Sequence, residues 1–170
     1  GLGADSMSGG LGDDLYVRNN TNDLIIEAES SGIDTVESSI SMTLGDHLEN
    51  LTLTGNAVSN AAGNQLNNFL RGNSAANILD GKGGADTLRG STGNDTYIMK
   101  RNYGQDVIID TDTTANNIDT ISFGGLIRAD QLWLRRVGND LQISIIGTAD
   151  QMRVKNWYVG QESRVERMVL

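Results

Sequence analysis

Single hydrophobic residues recur every nine positions through the middle of the chain. Read from Gly63, the sequence divides into the frames GNQLNNFLR, GNSAANILD, GKGGADTLR and GSTGNDTYI, and the middle residue of each closing triplet is apolar. Such a triplet suits a very short β-strand with one inward side chain, and the earlier part of the frame suits a Gly-rich turn. Two frames then make one coil of about 18 residues, so stacked coils predict two short parallel sheets around a thin apolar layer.

The same frame occurs at the N-terminus. GLGADSMS, which lacks its first residue, and GGLGDDLYV place Asp5 and Asp14 nine positions apart. Because the opening frame is incomplete, we expect the chain to be a piece of a longer repeat array. Residues 24–53 lack the Gly turns but alternate in polarity around Met42 and Leu51, so they predict further coils that bridge the two arrays.

Beyond Phe123 the hydrophobic pattern changes to a period of two. Residues 132–137, 141–146 and 152–158 read as strands joined by short turns, the first of which is the Gly138-Asn139-Asp140 segment. This pattern predicts an antiparallel hairpin or meander. Since a roll exposes unpaired backbone at its last coil, we interpret this segment as a cap over that edge.

These patterns together predict an all-β protein: a parallel β-roll with a C-terminal antiparallel β cap. The expected divisions are 1–62 for the first repeat block and its bridging coils, 63–123 for the second block, and 124–170 for the cap. Within the cap, Trp133, Trp157 and Tyr158 fit either the cap's own core or a sugar-stacking platform.

Charge and composition narrow the function. Of the net charge of −9, residues 1–125 contribute −11, with 17 Asp and Glu against 6 Lys and Arg, whereas residues 126–170 contribute +2, with 5 against 7. The acidic segment argues against nucleic acid as a partner. There is no Cys for a disulfide or thiolate site, and no apolar run long enough to span a membrane. His47 is the only His, so a His-based catalytic triad cannot be assembled, and we expect no catalytic site in this segment.

The Asp residues of the frames point to calcium. Residues 18 apart lie on the same edge of stacked coils, so Asp5 would lie over Asp23, and the carboxylates would repel each other unless a cation lay between them. Calcium takes 6 to 8 oxygen ligands at about 2.3–2.6 Å, and Gly-rich turns can present carbonyl oxygens to it. Asn68 and Asn77 stand where other frames carry Asp; these neutral residues predict weak or absent sites, with the amides forming ladders between coils.

The frames resemble the RTX family, the repeats-in-toxin proteins, whose calcium-binding consensus is G-G-x-G-x-D-x-U-x. GGLGDDLYV matches every defined position, and GKGGADTLR and GSTGNDTYI each depart at one Gly. The resemblance implies a calcium-binding β-roll in a larger bacterial protein that is secreted through type I secretion machinery to the cell surface or medium. The segment itself is expected to be monomeric.

The resemblance also implies the ligands, which are carbonyls from the turns and carboxylates from two coils. The implied sets are Gly1, Gly3 and Asp5 with Arg18, Asn20 and Asp23; Gly10, Gly12 and Asp14 with Asp34; Lys82, Gly84 and Asp86 with Asp106; and Ser91, Gly93 and Asp95 with Asp110 and Asp119.

A duplication links the two blocks. DDLYV is followed by Asp23-Leu24-Ile25-Ile26-Glu27 and later by GIDTV, while NDTYI is followed by Asp106-Val107-Ile108-Ile109-Asp110 and later by NIDTI. Each block therefore closes with the same acid-ended sequence, which we call the coda. The predicted function is calcium-dependent folding and stabilisation; a carbohydrate-binding or adhesive module is the alternative, and would need an exposed groove with basic residues such as Arg135 and Arg153. An enzyme would need a polar cleft that the sequence does not indicate.

Overall fold

The protein consists of short strands joined by turns. The structure is a computed structural model that describes residue 1 and residues 3–170. The strands are β1 (Ser6–Met7), β2 (Leu15–Arg18), β3 (Leu24–Ile25), β4 (Thr35–Ser38), β5 (Met42–Thr43), β6 (Asn50–Leu53), β7 (Ala61–Ala62), β8 (Phe69–Arg71), β9 (Ile78–Asp80), β10 (Thr87–Arg89), β11 (Thr96–Met99), β12 (Gln105–Ile108), β13 (Thr120–Phe123), β14 (Leu132–Val137), β15 (Asp140–Ile145), β16 (Gln151–Val154) and β17 (Arg167–Val169). Two 3-10 turns, Ala129–Gln131 and Gln161–Ser163, are the helical elements of the described chain, and neither approaches the length needed to cross a membrane.

Successive strands alternate between two sides of a roll. The larger sheet has nine strands in the order β14-β15-β16-β12-β10-β8-β6-β4-β2, and the facing sheet has six in the order β17-β13-β11-β9-β7-β5. β1 and β3 form a separate parallel pair. Within the roll all pairs are parallel, as expected when each coil returns to the same side. The prediction of a parallel β-roll is confirmed.

The strand register follows the nonapeptide period where the Gly frames are regular. Phe69 lies opposite Thr87, and Ile78 opposite Thr96, which is a coil of 18 residues. Irregular coils occur elsewhere: Thr35 lies opposite Asn50, and Thr96 opposite Thr120. Loops of different length therefore connect strands that still stack in register, which keeps the turn edges aligned.

The hydrophobic core is a narrow layer between the two sheets. The central residues of the closing triplets, such as Leu70, Leu79, Leu88 and Tyr97, are completely buried. Each strand contributes one or two such side chains, because alternate residues of a strand point outward. Burial is thus spread thinly along the roll, and side chains at the turns must contribute to cohesion.

The C-terminal segment closes both sheets. β14, β15 and β16 form the predicted antiparallel meander. β16 also pairs in parallel with β12, and β17 pairs in parallel with β13. The cap therefore continues the roll as well as covering its end.

Candidate metal centre

Carboxylates from adjacent coils meet along both turn edges of the roll. In each predicted pair, an Oδ1 atom of the later Asp accepts a hydrogen bond from the main-chain N–H of the earlier one. The donor-to-acceptor distances are 3.0 Å for Asp5 to Asp23, 2.8 Å for Asp14 to Asp34, 3.1 Å for Asp86 to Asp106 and 2.7 Å for Asp95 to Asp119. The structure thus brings the four pairs together; their occupation by calcium stays a prediction.

The first residue of the frame must be small because the carboxylate folds back over it. A Cβ atom on Gly90 would lie 2.6 Å from the hydroxyl of Tyr97 and would also collide with Oδ2 of Asp95. The main-chain N–H of Gly90 donates to the same hydroxyl over 3.1 Å, and Gly9 donates to Tyr16 over 2.6 Å. Gly90 therefore leaves the space that the Asp95 carboxylate and the Tyr97 hydroxyl occupy.

The predicted carbonyl ligands occupy the tight part of the turns. The second and fourth residues of three frames have positive φ: Gly10 and Gly12, Lys82 and Gly84, and Ser91 and Gly93. Two of these carbonyls face the next coil, because a Cβ atom on Gly32 would collide with Gly12 O and one on Gly104 would collide with Gly84 O. Gly3 is exposed.

Several of these carbonyls already accept one hydrogen bond. Gly1 O accepts the Asn19 side-chain amide at 3.0 Å, and Gly84 O accepts the Gln105 N–H at 3.3 Å. The carbonyls of Arg18 and Asn20 accept main-chain N–H groups of Ser39 and Asp23, each at 3.1 Å. A carbonyl oxygen has two lone pairs, so each retains one for a further contact. Their role as ligands stays a prediction.

The carboxylates leave oxygens without hydrogen-bond partners in the interior. Among the described residues, Oδ2 of Asp14, Asp34, Asp86 and Asp110 is buried with no donor within reach. An unpartnered buried acceptor costs about 1–3 kcal/mol, and more when it carries charge. A hard cation that takes oxygen ligands would satisfy these atoms, so the donor set fits calcium.

Burial raises the proton affinity of the second block's carboxylates. Burial, opposed by the Asn77 N–H and reinforced by Asp119 and Asp112, raises the pKa of Asp95 to about 7. Burial likewise raises the pKa of Asp86, Asp106 and Asp110. In the first block, the main-chain N–H groups of Asp5, Asn20 and Asn19 lower the pKa of the half-buried Asp23. The second block therefore holds negative charge at greater cost, and a bound cation would have more effect there.

Amide groups replace carboxylates in the Asn frames. Nδ2 of Asn68 donates to the carbonyls of Leu48 and Glu49, at 3.1 and 3.2 Å, and Nδ2 of Asn77 donates to Ser59 O at 2.7 Å. The amides thus connect successive coils, but through main-chain carbonyls and not by the amide-to-amide stacking suggested by the sequence. An N–H donor here takes the position that a cation would take between two carboxylate-bearing coils.

Three Glu residues join the edges without having been predicted. Glu49 Oε2 accepts the Asp34 N–H, and Glu166 Oε2 accepts the Asp119 N–H, both at 2.8 Å. Carboxylate oxygens of Asp14, Glu27 and Asp34 all lie within 4.8 Å of one another. Glu49 and Glu166 lie in irregular coils that carry no frame signal, whereas Glu27 could have been found from the coda, where it aligns with Asp110.

Comparisons with known proteins agree with this geometry. A family model described as the RTX calcium-binding nonapeptide repeat (4 copies) matches residues 1–25 and 62–97. A second, described as the haemolysin-type calcium binding protein related domain, matches residues 140–170. The two family models thus match both Gly-frame arrays and most of the cap.

Two curated relatives come from Rhizobium meliloti (strain 1021). Endo-1,3-1,4-beta-glycanase EglC is 50% identical over 105 residues, which are 62% of this chain and 22% of the relative. Endo-1,3-1,4-beta-glycanase ExsH is 40% identical over 67 residues, which are 39% of this chain and 14% of the relative. The chain therefore spans less than a quarter of either relative's length. With frames, coil register, paired carboxylates and family matches in agreement, the chain belongs to the RTX family of haemolysin-type calcium-binding nonapeptide repeat proteins.

Proposed function

We propose that this chain is a calcium-dependent folding and stabilising module of a larger secreted bacterial protein. The observation that carries the proposal is the set of paired carboxylates with unpartnered buried oxygens, at Asp14, Asp34 and Asp86. These groups destabilise the roll when no cation is bound, and they hold it together when one is.

The thin core makes the cation necessary for folding. Ordering a backbone residue costs about 1–2 kcal/mol, and a coil of this roll offsets that cost with few fully buried apolar side chains, such as Leu79 and Leu88. Without a cation, like charges one coil apart add repulsion. Calcium binds the folded arrangement, so its binding free energy becomes folding free energy, and several linked sites make folding steep in calcium concentration.

This linkage fits a protein that must stay unfolded inside the cell and fold outside it. We propose export by a type I secretion system, with an extracellular or cell-surface location for the parent protein. In that setting, the low calcium of the cytoplasm keeps the chain unfolded, and calcium outside the cell drives its folding. The segment's own contribution is structural, while catalysis belongs to other parts of the parent protein.

A calcium titration followed by far-UV circular dichroism tests the proposal. The chain should gain β signal cooperatively with calcium and not with magnesium, whose small octahedral shell near 2.0–2.1 Å suits these turns poorly. The variant Asp86→Asn should require more calcium, whereas Asp46→Asn, at an exposed residue outside the pairs, should titrate as the unmodified chain does. A full β spectrum in excess chelator would refute the proposal.

A second candidate function is carbohydrate binding on the outer face of the cap. Across β14, β15, β16 and β12, two rows of outward side chains lie in register. They are Trp133, Ser144, Gln151 and Gln105 in one row, and Arg135, Gln142, Arg153 and Val107 in the other. Most of these residues line a groove of about 270 Å³, and Trp133, beside it, is 63% exposed.

The side chains of this face suit a polar ligand. Gln142 accepts a hydrogen bond from Arg135 at 3.2 Å and donates one to Gln151 at 2.6 Å, so the amides are held in place. An exposed indole beside fixed amide and guanidinium groups can stack on a sugar ring while the polar groups bind its hydroxyls. By contrast, Trp157 packs against the core, and Arg136 lies over the Tyr158 ring, 4.5 Å from its centroid.

Affinity electrophoresis in a gel containing a β-1,3-1,4-linked glycan tests this candidate, the linkage being that in the relatives' names. Trp133→Ala and Arg135→Ala should remove retardation of the calcium-loaded chain, whereas Arg128→Ala, at an exposed residue outside the groove, should not. Equal mobility of the unmodified chain in gels with and without glycan would exclude this ligand.

A further inference from the structure

The first repeat block ends in a group of three carboxylates. In the first block the group is Asp14, Glu27 and Asp34, whose carboxylate oxygens lie within 4.8 Å of one another. Asp34 is fully buried, and Oδ2 of both Asp residues has no hydrogen-bond partner. The unpartnered oxygens and the third carboxylate therefore converge on one point of the turn edge.

The duplicated coda places three carboxylates at the corresponding positions of the second block's sequence. Aligning the two codas matches Asp14 with Asp95, Glu27 with Asp110, and Asp34 with Asp119. Asp110 is 4% exposed, and its Oδ2 is buried without a partner. As in the first block, Oδ1 of the last residue, Asp119, accepts the main-chain N–H of the first, Asp95, at 2.7 Å.

The other two pairs have a simpler composition. The Asp5 and Asp23 pair and the Asp86 and Asp106 pair each draw one carboxylate from each of two coils. In the coda groups, a third carboxylate comes from the segment that follows the next strand on the opposite side of the roll. The first block's group thus offers three formal negative charges, where these pairs offer two, and the coda alignment predicts the same for the second block.

We propose that Glu27 is a further calcium ligand in the first block, corresponding to Asp110 in the second, and that the two coda groups are the tightest sites of the chain and fill first. The inference rests on the proposed calcium-dependent function. Calcium affinity rises with the number of charged ligands, and this number is greatest at the coda groups. A trivalent lanthanide, which would neutralise three carboxylates, is expected to prefer the same two sites.

Glu27 also makes contacts that serve its loop. Its Oε2 accepts the Ser31 hydroxyl at 2.7 Å, and its Oε1 accepts the Gly9 N–H at 3.3 Å. A purely structural role would depend on these hydrogen bonds, whereas a ligand role depends on the charge. Glu27→Gln keeps an amide oxygen acceptor and removes the charge, while Ser31→Ala removes one loop contact and keeps the charge.

Terbium luminescence of the whole chain separates these roles, because a tyrosine lies beside each group. The Tyr16 hydroxyl accepts the Gly9 N–H, and the Tyr97 hydroxyl accepts the Gly90 N–H, so excitation of tyrosine should sensitise terbium bound at the coda groups. Titrating terbium, and then displacing it with calcium, gives the affinity of the tightest sites. Tyr16→Phe identifies the emission from the first block.

We expect Glu27→Gln to weaken the tight site of the first block by at least about tenfold for calcium, and Asp110→Asn to do the same in the second block. Ser31→Ala and Glu29→Gln, a neighbouring charge outside the group, should each change affinity by less than about twofold. If the unmodified chain binds neither ion, the proposed function fails. If the unmodified chain binds both ions, either of two results overturns the inference. One is that Glu27→Gln changes the ion affinity no more than Glu29→Gln does, and the other is that Ser31→Ala weakens binding as much as Glu27→Gln does. Asp110→Asn tests it in the second block should Glu27→Gln not fold.

Discussion

Replacing Asn68 with Asp would exchange a neutral contact between coils for a charged one. Asn68 is 3% exposed; its Nδ2 donates to the carbonyls of Leu48 and Glu49, and its Oδ1 accepts the Asn64 N–H at 2.8 Å. Asp keeps the acceptor but loses both donors. It also brings a charge near Asp86, whose Oδ1 accepts the Asn68 N–H at 2.7 Å.

The cost follows from the two hydrogen bonds that are lost. Leu48 O keeps the Asn64 Nδ2 donor at 2.8 Å and Glu49 O keeps the Phe69 N–H at 3.0 Å, so neither carbonyl is left unpartnered. A net hydrogen bond contributes about 0.5–1.5 kcal/mol, so the loss is about 1–3 kcal/mol before charge repulsion is added. This loss is an appreciable part of the free energy of unfolding of a typical domain, which is about 5–15 kcal/mol. At high calcium an additional ion would replace the lost donors, since the new carboxylate and the freed carbonyls are calcium ligands.

We therefore expect Asn68→Asp to raise the calcium midpoint of folding and to add bound calcium at saturation. Circular dichroism during a calcium titration gives the midpoint, and isothermal titration calorimetry gives the number of ions. Asn67→Asp is the matched control, because Asn67 is exposed and its Oδ1 only accepts the Ala85 N–H at 2.8 Å, which Asp can also do. An unchanged midpoint and unchanged stoichiometry in Asn68→Asp would show that the amide does not replace a cation.

Three other perturbations test the turn geometry and the carboxylate charges. Gly90→Ala should lower the free energy of unfolding in calcium by about 1–3 kcal/mol, because the new Cβ atom has no room beside Tyr97. Urea denaturation measures this loss, which should be much smaller for Gly45→Ala, where the atom nearest to a new Cβ is 3.9 Å away. Lys82→Gly should stabilise the folded chain by up to about 1 kcal/mol, because Lys82 has a φ of 65°, and so should raise its melting temperature slightly. A melting temperature no higher than that of Lys82→Ala would contradict this. The ion-free chain should become more ordered as pH falls from 8 toward 4. Burial raises the pKa of Asp95 from 3.8 to about 7, so in this pH range the folded state binds more protons than the unfolded chain. A circular dichroism spectrum of the calcium-stripped chain that does not change with pH would contradict this expectation.

The regular coils could be predicted from the sequence because their period is local information. The nine-residue spacing places Asn68 below Asp86 and Asn77 below Asp95, and the structure joins both pairs by hydrogen bonds of 2.7 and 2.8 Å. A coil of fixed length leaves one possible register. The Gly and Asp positions of a frame then determine which atoms meet at the edge.

The irregular coils carry no such information. Asp119 donates its N–H to Glu166 across 47 positions of sequence, and Asp34 donates to Glu49 across 15. Their register depends on how the intervening loops pack, which is a property of the three-dimensional fold. The parallel pairing of β17 with β13 could not be predicted from the sequence for the same reason, although the antiparallel part of the cap could be predicted from its alternating pattern.

The hydrogen bonds from frame main-chain N–H groups to the Asp carboxylates run from each coil to the next, and this gives the turn edges a polarity. In four coils a main-chain N–H group donates to a carboxylate of the following coil; the donors are Asp14, Asn68, Asp86 and Asp95. The last such acceptor on one edge is Glu166, in the cap. At these positions the N–H group of a coil is therefore satisfied by its successor and not by its predecessor. An array that becomes available from its carboxyl end can add each new coil to a finished template, whereas one that becomes available from its amino end must hold every newest coil open until the next arrives.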